Sequence, residues 1–306
     1  MKRVLLVAVT ALLLINGTAS WAGKLEDGIA ASKRGDYAIA LGIFRSLAAR
    51  GDAVAQNSLG VMYVKGQGVT KDYAEAVKWL RLAADQGLAN AQFNLGVMYR
   101  EGRGVAQDYS QAFRLYRLAA EQGDAEGQGA LGSMYREGLG VTQNNAEALK
   151  WYQLAAAQGD AIAQSNLGLM YGNGRGIAQN YAEAVKWIRL AATQGLAAAQ
   201  SDLGRMYANG QGVPHNYVEA LKWIRLAAAQ GLARAQSDLG LMYGKGQGVA
   251  KDYIRAQMWA DLAAGSGDGM AVTIRDRLAT VLTPQQIAQA QKMAQECQAR
   301  NFKGCD

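Results

Sequence analysis

Apolar and polar positions between Asp52 and Gly87 fall into two blocks, each with helical spacing. Ala55, Leu59, Met62 and Tyr63 stand at i, i+4, i+7 and i+8, which is one face of an α-helix. This predicts a helix A of about 13 residues. Tyr73, Ala76, Trp79 and Ala83 mark one face of a second helix, B, and place the tryptophan in its core. Between the blocks Gly66-Gln67-Gly68 predicts a stop, because glycine tolerates the left-handed conformation in which helices end. Asp72, with Glu75 three residues on, predicts the cap that starts helix B. Gly87 closes it. The unit so read is an antiparallel helix pair.

The same pattern recurs at a fixed step of 36 residues. Leu-Gly pairs stand at Leu59-Gly60, Leu95-Gly96, Leu131-Gly132, Leu167-Gly168, Leu203-Gly204 and Leu239-Gly240. Each is followed at one offset by Met-Tyr and then by Gly-x-Gly. The cap recurs as Asp108, Asn144, Asn180, Asn216 and Asp252, and the closing glycine as Gly123, Gly159, Gly195, Gly231 and Gly267. A repeat of this length predicts an all-α solenoid in which each helix pair packs only on its neighbours. Gly60 and its equivalents fall in mid-helix, where glycine costs about 1 kcal/mol relative to alanine. Six such positions predict a packing reason: a neighbouring helix backbone that comes too close for a side chain.

The string Ala-x-Ala-Gln-x-x-Leu-Gly-x-Met-Tyr-x-x-Gly-x-Gly-Val is followed by Asp/Asn-Tyr-x-x-Ala-x-x-Trp-x-x-x-Ala-Ala-x-x-Gly. It resembles the Sel-one-like repeat, a relative of the tetratricopeptide repeat. The resemblance is clearest over residues 89–123 and 161–195 and covers 53–267. It implies a right-handed superhelical solenoid of antiparallel helix pairs. Leu115 in place of Trp, Asn145 in place of Tyr and Gly127 in place of Ala are the main departures. Residues 23–52 read as an N-terminal capping pair, with helix A from Leu25 to Lys33 and helix B from Tyr37. Six repeats occupy 53–268. Residues 269–306 read as a C-terminal cap, with a divergent helix A over Gly269 to Val281. A capping box with Pro at its first helical position, Thr283-Pro284-Gln285-Gln286, then starts a last helix that reaches Gln298. No second domain is expected.

Residues 1–22 read as an export signal. Lys2 and Arg3 precede an apolar run from Val4 to Ile15, and Ser20 and Ala22 fit cleavage after Ala22. The leader carries two positive charges and no negative one, so its removal takes the net charge from +7 to +5. No Asn-x-Ser/Thr site follows Ala22, which favours a bacterial periplasm, or secretion, over a glycosylating route. In an oxidising compartment the only two cysteines, Cys297 and Cys305, should pair and pin the tail to the last helix.

Candidate chemistry is sparse, and no cofactor is expected. The single histidine, His215, sits in a loop, which argues against His-based catalysis and a multi-His metal site. Some cysteine-rich relatives bind or hydrolyse β-lactams, but no serine here has a lysine three residues on, as a serine β-lactamase needs. The Gly-x-Gly loops follow no strand and carry no Lys-Ser/Thr, so they are not phosphate loops. Helix B carries a basic ladder: Lys78, Arg81, Arg114, Arg117, Lys150, Lys186, Arg189, Lys222 and Arg225. It reads either as a solvated face paired with Glu75, Glu147, Glu183 and Glu219, or as a stripe for an anionic polymer.

Helix A carries the variable columns. One reads Asn57, Phe93, Gly129, Ser165, Ser201, Ser237; the next reads Ser58, Asn94, Ala130, Asn166, Asp202, Asp238. A third reads Val61, Val97, Ser133, Leu169, Arg205, Leu241, and a fourth begins Val64, Arg100, Arg136. All are read as exposed. In tetratricopeptide-like arrays helix A builds the concave wall. The resemblance therefore implies a partner-binding face with Phe93, Asn94, Val97, Arg100, Arg136, Asp202, Arg205 and Asp238 as candidate contacts. Drift on an exposed face would give the same variation. The expected function is an exported, non-enzymatic adaptor for a protein or peptide, without nucleic acid and without membrane insertion after cleavage. The alternatives are a cell-wall-directed enzyme of the β-lactam-hydrolysing type and a polysaccharide-binding scaffold using the basic stripe. Three glycines in six residues, Gly127, Gly129 and Gly132, together with Leu115 and Asn145, predict a weak point over 112–145.

Overall fold

A computed structural model describes residues 23–305. The export signal read over 1–22 lies outside them. Among the described residues every regular element is a helix. Helix α1 covers residues 23–34 and α2 covers Tyr37–Ala48. Six A helices follow: α3 (Ala53–Lys65), α5 (Ala89–Glu101), α7 (Ala125–Glu137), α9 (Ala161–Asn173), α11 (Ala197–Asn209) and α13 (Ala233–Lys245). Their B partners are α4 (Tyr73–Asp85), α6 (Tyr109–Glu121), α8 (Asn145–Ala157), α10 (Tyr181–Thr193), α12 (Tyr217–Ala228) and α14 (Tyr253–Gly265). The chain ends in α15 (Gly269–Ala279) and α16 (Pro284–Ala299). The helices form two compact units that divide between Asn144 and Asn145.

Local chemistry sets the helix ends. The carboxylate of Asp72 accepts from the backbone N–H groups of Ala74 and Glu75 at 2.9 and 3.0 Å, and Asn180 and Asn216 do the same for α10 and α12. Gly66 ends α3 in the left-handed region at φ 69°. Gly68 has a second role. A Cβ there would lie 2.7 Å from the carbonyl oxygen of Tyr37, so the loop presses on the start of the preceding B helix. The capping box at Thr283 is present, with Pro284 at the first helical position.

The mid-helix glycines have a packing role. A Cβ on Gly60 would sit 2.7 Å from Cγ of Leu80 and 3.2 Å from the carbonyl oxygen of Ala76. On Gly168 it would sit 2.5 Å from Cγ1 of Ile188 and 3.0 Å from the carbonyl oxygen of Ala184. The expected backbone approach is there, and a large side chain of helix B fills the remaining space. That side chain is not the tryptophan. Trp79, Trp151, Trp187 and Trp223 are half-buried, with a lysine ammonium 5.5–5.8 Å from each ring centroid. The buried column is one residue later: Leu80, Tyr116, Tyr152, Ile188 and Ile224, each at most 2% exposed. The reading of Trp as core is thereby corrected. The stripe that faces helix A runs through Ala76, Leu80 and Ala83, which places Trp79 on its flank. Trp259, in the last repeat, is buried.

The glutamine of the repeat string forms a ladder that the apolar periodicity did not show. Gln56, Gln92, Gln128, Gln164, Gln200 and Gln236 are buried, and each donates through Nε2 to a carbonyl at the end of the preceding B helix, at 3.1–3.4 Å. Gln86, Gln122, Gln194 and Gln230 donate to the Oε1 atoms of Gln56, Gln92, Gln164 and Gln200 at 2.7–2.8 Å. These bonds satisfy amides that burial would otherwise penalise, except at Gln236, whose Oε1 is buried without a partner. At the end of the chain a disulfide joins Cys297 to Cys305. Asn301 and Phe302 turn the tail with positive φ, and the Phe302 ring stands 3.0 Å from where a Cβ on Gly231 would be.

Candidate peptide-binding face

The variable columns of helix A separate into a packed column and an open face. Asn57 and Phe93 are half-buried, and Gly129, Ser165, Ser201 and Ser237 are buried. The expectation that this column is exposed is corrected. Within each unit successive A helices meet, α3 with α5, α5 with α7 and α13 with α15, which leaves little room in this column. Phe93 fits by stacking on Tyr116, with ring centroids 5.7 Å apart. Tyr116 itself is so buried that its hydroxyl pKa is pushed up to about 12. The column beginning with Ser58 bridges successive A helices. Asn94 donates to Asn57 at 2.9 Å in the first unit, and Asp202 pairs with Arg234 in the second.

The columns beginning with Val61 and Val64 line the open face. In the first unit Val97 is half-buried, Arg100 pairs with Glu101 at 3.1 Å, and Arg136 pairs with Glu137. In the second unit the positions of Arg100 and Arg136 are taken by Gly172, Ala208 and Gly244. Two cavities open over these glycines. One, of about 460 Å³, lies among α9, α10, α11 and α13 and is lined by Leu169, Gly172, Tyr181, Asp202, Arg205 and Arg234. The other, of about 520 Å³, lies among α13, α14 and α15 and is lined by Leu241, Gly244, Tyr253, Ile274, Arg277 and Leu278. Both have the size of ligand pockets, about 300–1,000 Å³.

The first of these cavities is charged. Arg205 is half-buried and makes no hydrogen bond or ion pair among the described residues. Behind it Asp238 has one carboxylate oxygen buried without a partner. Burial raises the pKa of Asp238, and Arg205 and then Arg234 oppose that shift. The second cavity is mainly apolar and its cations, Lys245 and Arg277, are exposed. Sequence reasoning named Asp202 and Arg205, which line the charged cavity, and Asp238, which does not. It missed Gly172 and Gly244, whose signal was a break in the column of Arg100 and Arg136.

The basic ladder is tied to its own chain. Lys78, Lys150, Lys186 and Lys222 lie 3.3–3.9 Å from Glu75, Glu147, Glu183 and Glu219. Arg81, Arg189 and Arg225 each donate to the hydroxyl of the tyrosine 18 residues on, at 2.8 Å. Arg117 pairs with Glu121 at 3.7 Å, and Arg114 is exposed. His215 stacks edge-on against Tyr217, with ring centroids 4.2 Å apart. No group of acidic, His or Cys side chains suited to a metal occurs among the described residues.

The family model described as Sel1 repeat matches residues 53–88, 89–124, 125–160, 161–196, 197–232 and 233–268. The chain is similar to a Sel1 repeat protein from Oxalobacter formigenes, with 35% identity and a TM-score of 0.72 over 78% of this chain and 96% of that one. It is also similar to c5321, a protective antigen of uropathogenic Escherichia coli strains with an SLR fold. That match has 28% identity and a TM-score of 0.49 over 94% of this chain and 86% of that one. No curated protein matches the chain in sequence. Six contiguous family matches over helix pairs of one period show that the chain belongs to the Sel1 repeat proteins.

Proposed function

We propose that the protein is an exported, non-enzymatic adaptor that holds a protein or peptide partner against its A-helix face. One observation carries this reading. Where the packed columns repeat, the open face changes from repeat to repeat, and in the second unit it opens into two cavities, one lined by Arg205 beside the Arg234–Asp202 pair and the other by Lys245 and Arg277. The chemistry there suits recognition: apolar side chains, two guanidiniums, a carboxylate, amides and a tyrosine, without a nucleophile–base pair. The internal pairing of the basic ladder makes helix B the weaker candidate surface. Export rests on the leader, and the Cys297–Cys305 disulfide is compatible with it.

Photo-crosslinking in the producing cell tests the reading. A benzophenone side chain at Asn209, beside the charged cavity, should trap a protein. The same probe at Leu82, exposed on helix B, should trap none. Crosslinks from Leu82 and none from Asn209 would move the binding surface to helix B. Hydrolysis of nitrocefin by the purified chain would replace the adaptor reading with the enzymatic one.

A further inference from the structure

The two cavities are one site built twice. A shift of 72 residues, two repeats, carries Leu169 to Leu241, Gly172 to Gly244, Tyr181 to Tyr253 and Arg205 to Arg277. All eight residues line the cavities, four in each. Gly172 and Gly244 are not needed for the fold. Each lies inside a helix, and a Cβ there would meet only a single alanine methyl, at 3.6 Å in one case and 3.7 Å in the other. That is ordinary contact, unlike the 2.5 Å clash at Gly168 one turn earlier. Glycine here lowers helix propensity without relieving any overlap, and what it supplies is empty space. The equivalent positions in the first unit carry Arg100 and Arg136, so the repeat accepts a long side chain in this column.

The two copies differ in lining. Asp202, Met206 and Asn209 of the first become Ile274, Leu278 and Val281 of the second. Each copy keeps its arginine: Arg277 has no hydrogen bond or salt bridge among the described residues, and Arg205 has none either, its charge being offset only in part through the field of Asp238. Lys245 stands unpaired beside Arg277. Adjacent helices pack about 8–10 Å apart, so two repeats separate the copies by roughly 20 Å. An extended chain advances about 3.3 Å per residue and covers that span in about six residues. A small amphiphile does not reach both.

Taking the A-helix face as the binding surface, we propose that the second unit is a two-anchor site for an extended acidic segment of a partner protein. One carboxylate side chain meets Arg205 in the charged cavity. About six residues away, a large apolar side chain fills the cavity over Gly244, with a neighbouring carboxylate on Arg277 and Lys245. The charge complementarity fits a chain whose net charge is +7, and +5 once the leader is removed.

A phage-displayed random dodecapeptide library panned on the full chain at low salt tests the proposal. Enriched peptides should carry an acidic residue and a large apolar residue five to seven positions apart. A synthetic copy should bind at least tenfold more weakly to Gly172→Met and to Gly244→Met, each of which fills one cavity. It should bind Gly172→Ala and Gly244→Ala like the parent. Arg205→Gln and Arg277→Gln should weaken binding and flatten its salt dependence. Melting curves at or above the parent's establish that the filled variants fold. Three outcomes overturn the proposal: no enrichment, enrichment without the spacing, or peptides indifferent to both fillings. If crosslinks from Asn209 persist in any of these cases, the adaptor reading stands and only the two-anchor assignment falls. An aromatic anionic amphiphile, 1-anilinonaphthalene-8-sulfonate, bound in the Gly244 cavity with no peptide enriched would reassign that cavity to an amphiphile and likewise overturn the proposal.

Discussion

The two units use glycine differently on the same repeat, and what a Cβ would meet tells the uses apart. In α7 of the first unit the additional glycines lie on the packed side. A Cβ on Gly127 would come within 2.8 Å of the Ala119 methyl and 3.1 Å of the Ala120 nitrogen. In α9 and α13 of the second unit the additional glycines lie on the open face and meet almost nothing. In that column the first unit carries Arg100 paired to Glu101 and Arg136 paired to Glu137. The second leaves it open, with Asn173 and Lys245 where those glutamates stand. Glycine in mid-helix is therefore a packing device in one place and a cavity floor in another. Composition alone does not separate them.

The largest expected effect fixes the reference for that comparison. Ile188→Ala removes the side chain that fills the space over Gly168 and should cost about 2–5 kcal/mol. The loss should spread to adjoining repeats, because each stabilises only its neighbours. Trp187→Ala, half-buried, should cost less than half as much. Equal destabilisation of the two variants in urea melts would return the tryptophan to the core.

Glycine replacements come next and should differ in sign. Gly168→Ala and Gly127→Ala introduce overlap with neighbouring side chains and backbone and should destabilise by about 1–3 kcal/mol. Gly172→Ala and Gly244→Ala add propensity in open space and should stabilise by about 0.5–1 kcal/mol. A common sign in thermal melts would show that propensity, or overlap, alone decides. Within the first unit, the three glycines of α7 should leave its amides exchanging about tenfold or more faster than those of α5, which has one. Equal protection in hydrogen exchange would show that close packing at Gly127 makes up the whole difference.

The smallest effect is electrostatic. Burial holds the Asp238 carboxyl above its usual 3.8 in the folded chain, with Arg205 and Arg234 offsetting part of the shift. A carboxyl whose folded pKa is raised favours the native state below its unfolded pKa. It loses that contribution as pH rises through the folded value. Asp238→Asn should therefore melt slightly above the parent at neutral pH, and the gap should close as pH falls toward about 4. A gap that is constant across that range would mean that burial of the charge is not its cause.

Most of the architecture was legible in the sequence because the repeat prints each packing constraint six times. The Leu-Gly step, the Gly-x-Gly stop and the Asp/Asn cap all match what the structure does with Gly60, Gly66 and Asp72. Trp187 was misplaced because helical periodicity marks a face without marking its centre. Ile188, one residue later, points at the glycine and is buried. The serine column was misread for a related reason. Its small residues vary as a solvent face would, yet the structure buries them. On the candidate face, Asp202, Arg205 and Asp238 were visible as variation. Gly172 and Gly244 were not, because a chain with 37 glycines hides two that stand where nothing forces them.

The binding proposed for the second unit depends on an open face that lacks the arginines of the first. Grafting those arginines tests it most directly. The double variant Gly172→Arg/Gly244→Arg should fold with a melting temperature at or above the parent's and bind the selected dodecapeptide at least tenfold more weakly in a fluorescence titration. Unchanged affinity in the folded double variant would contradict the account.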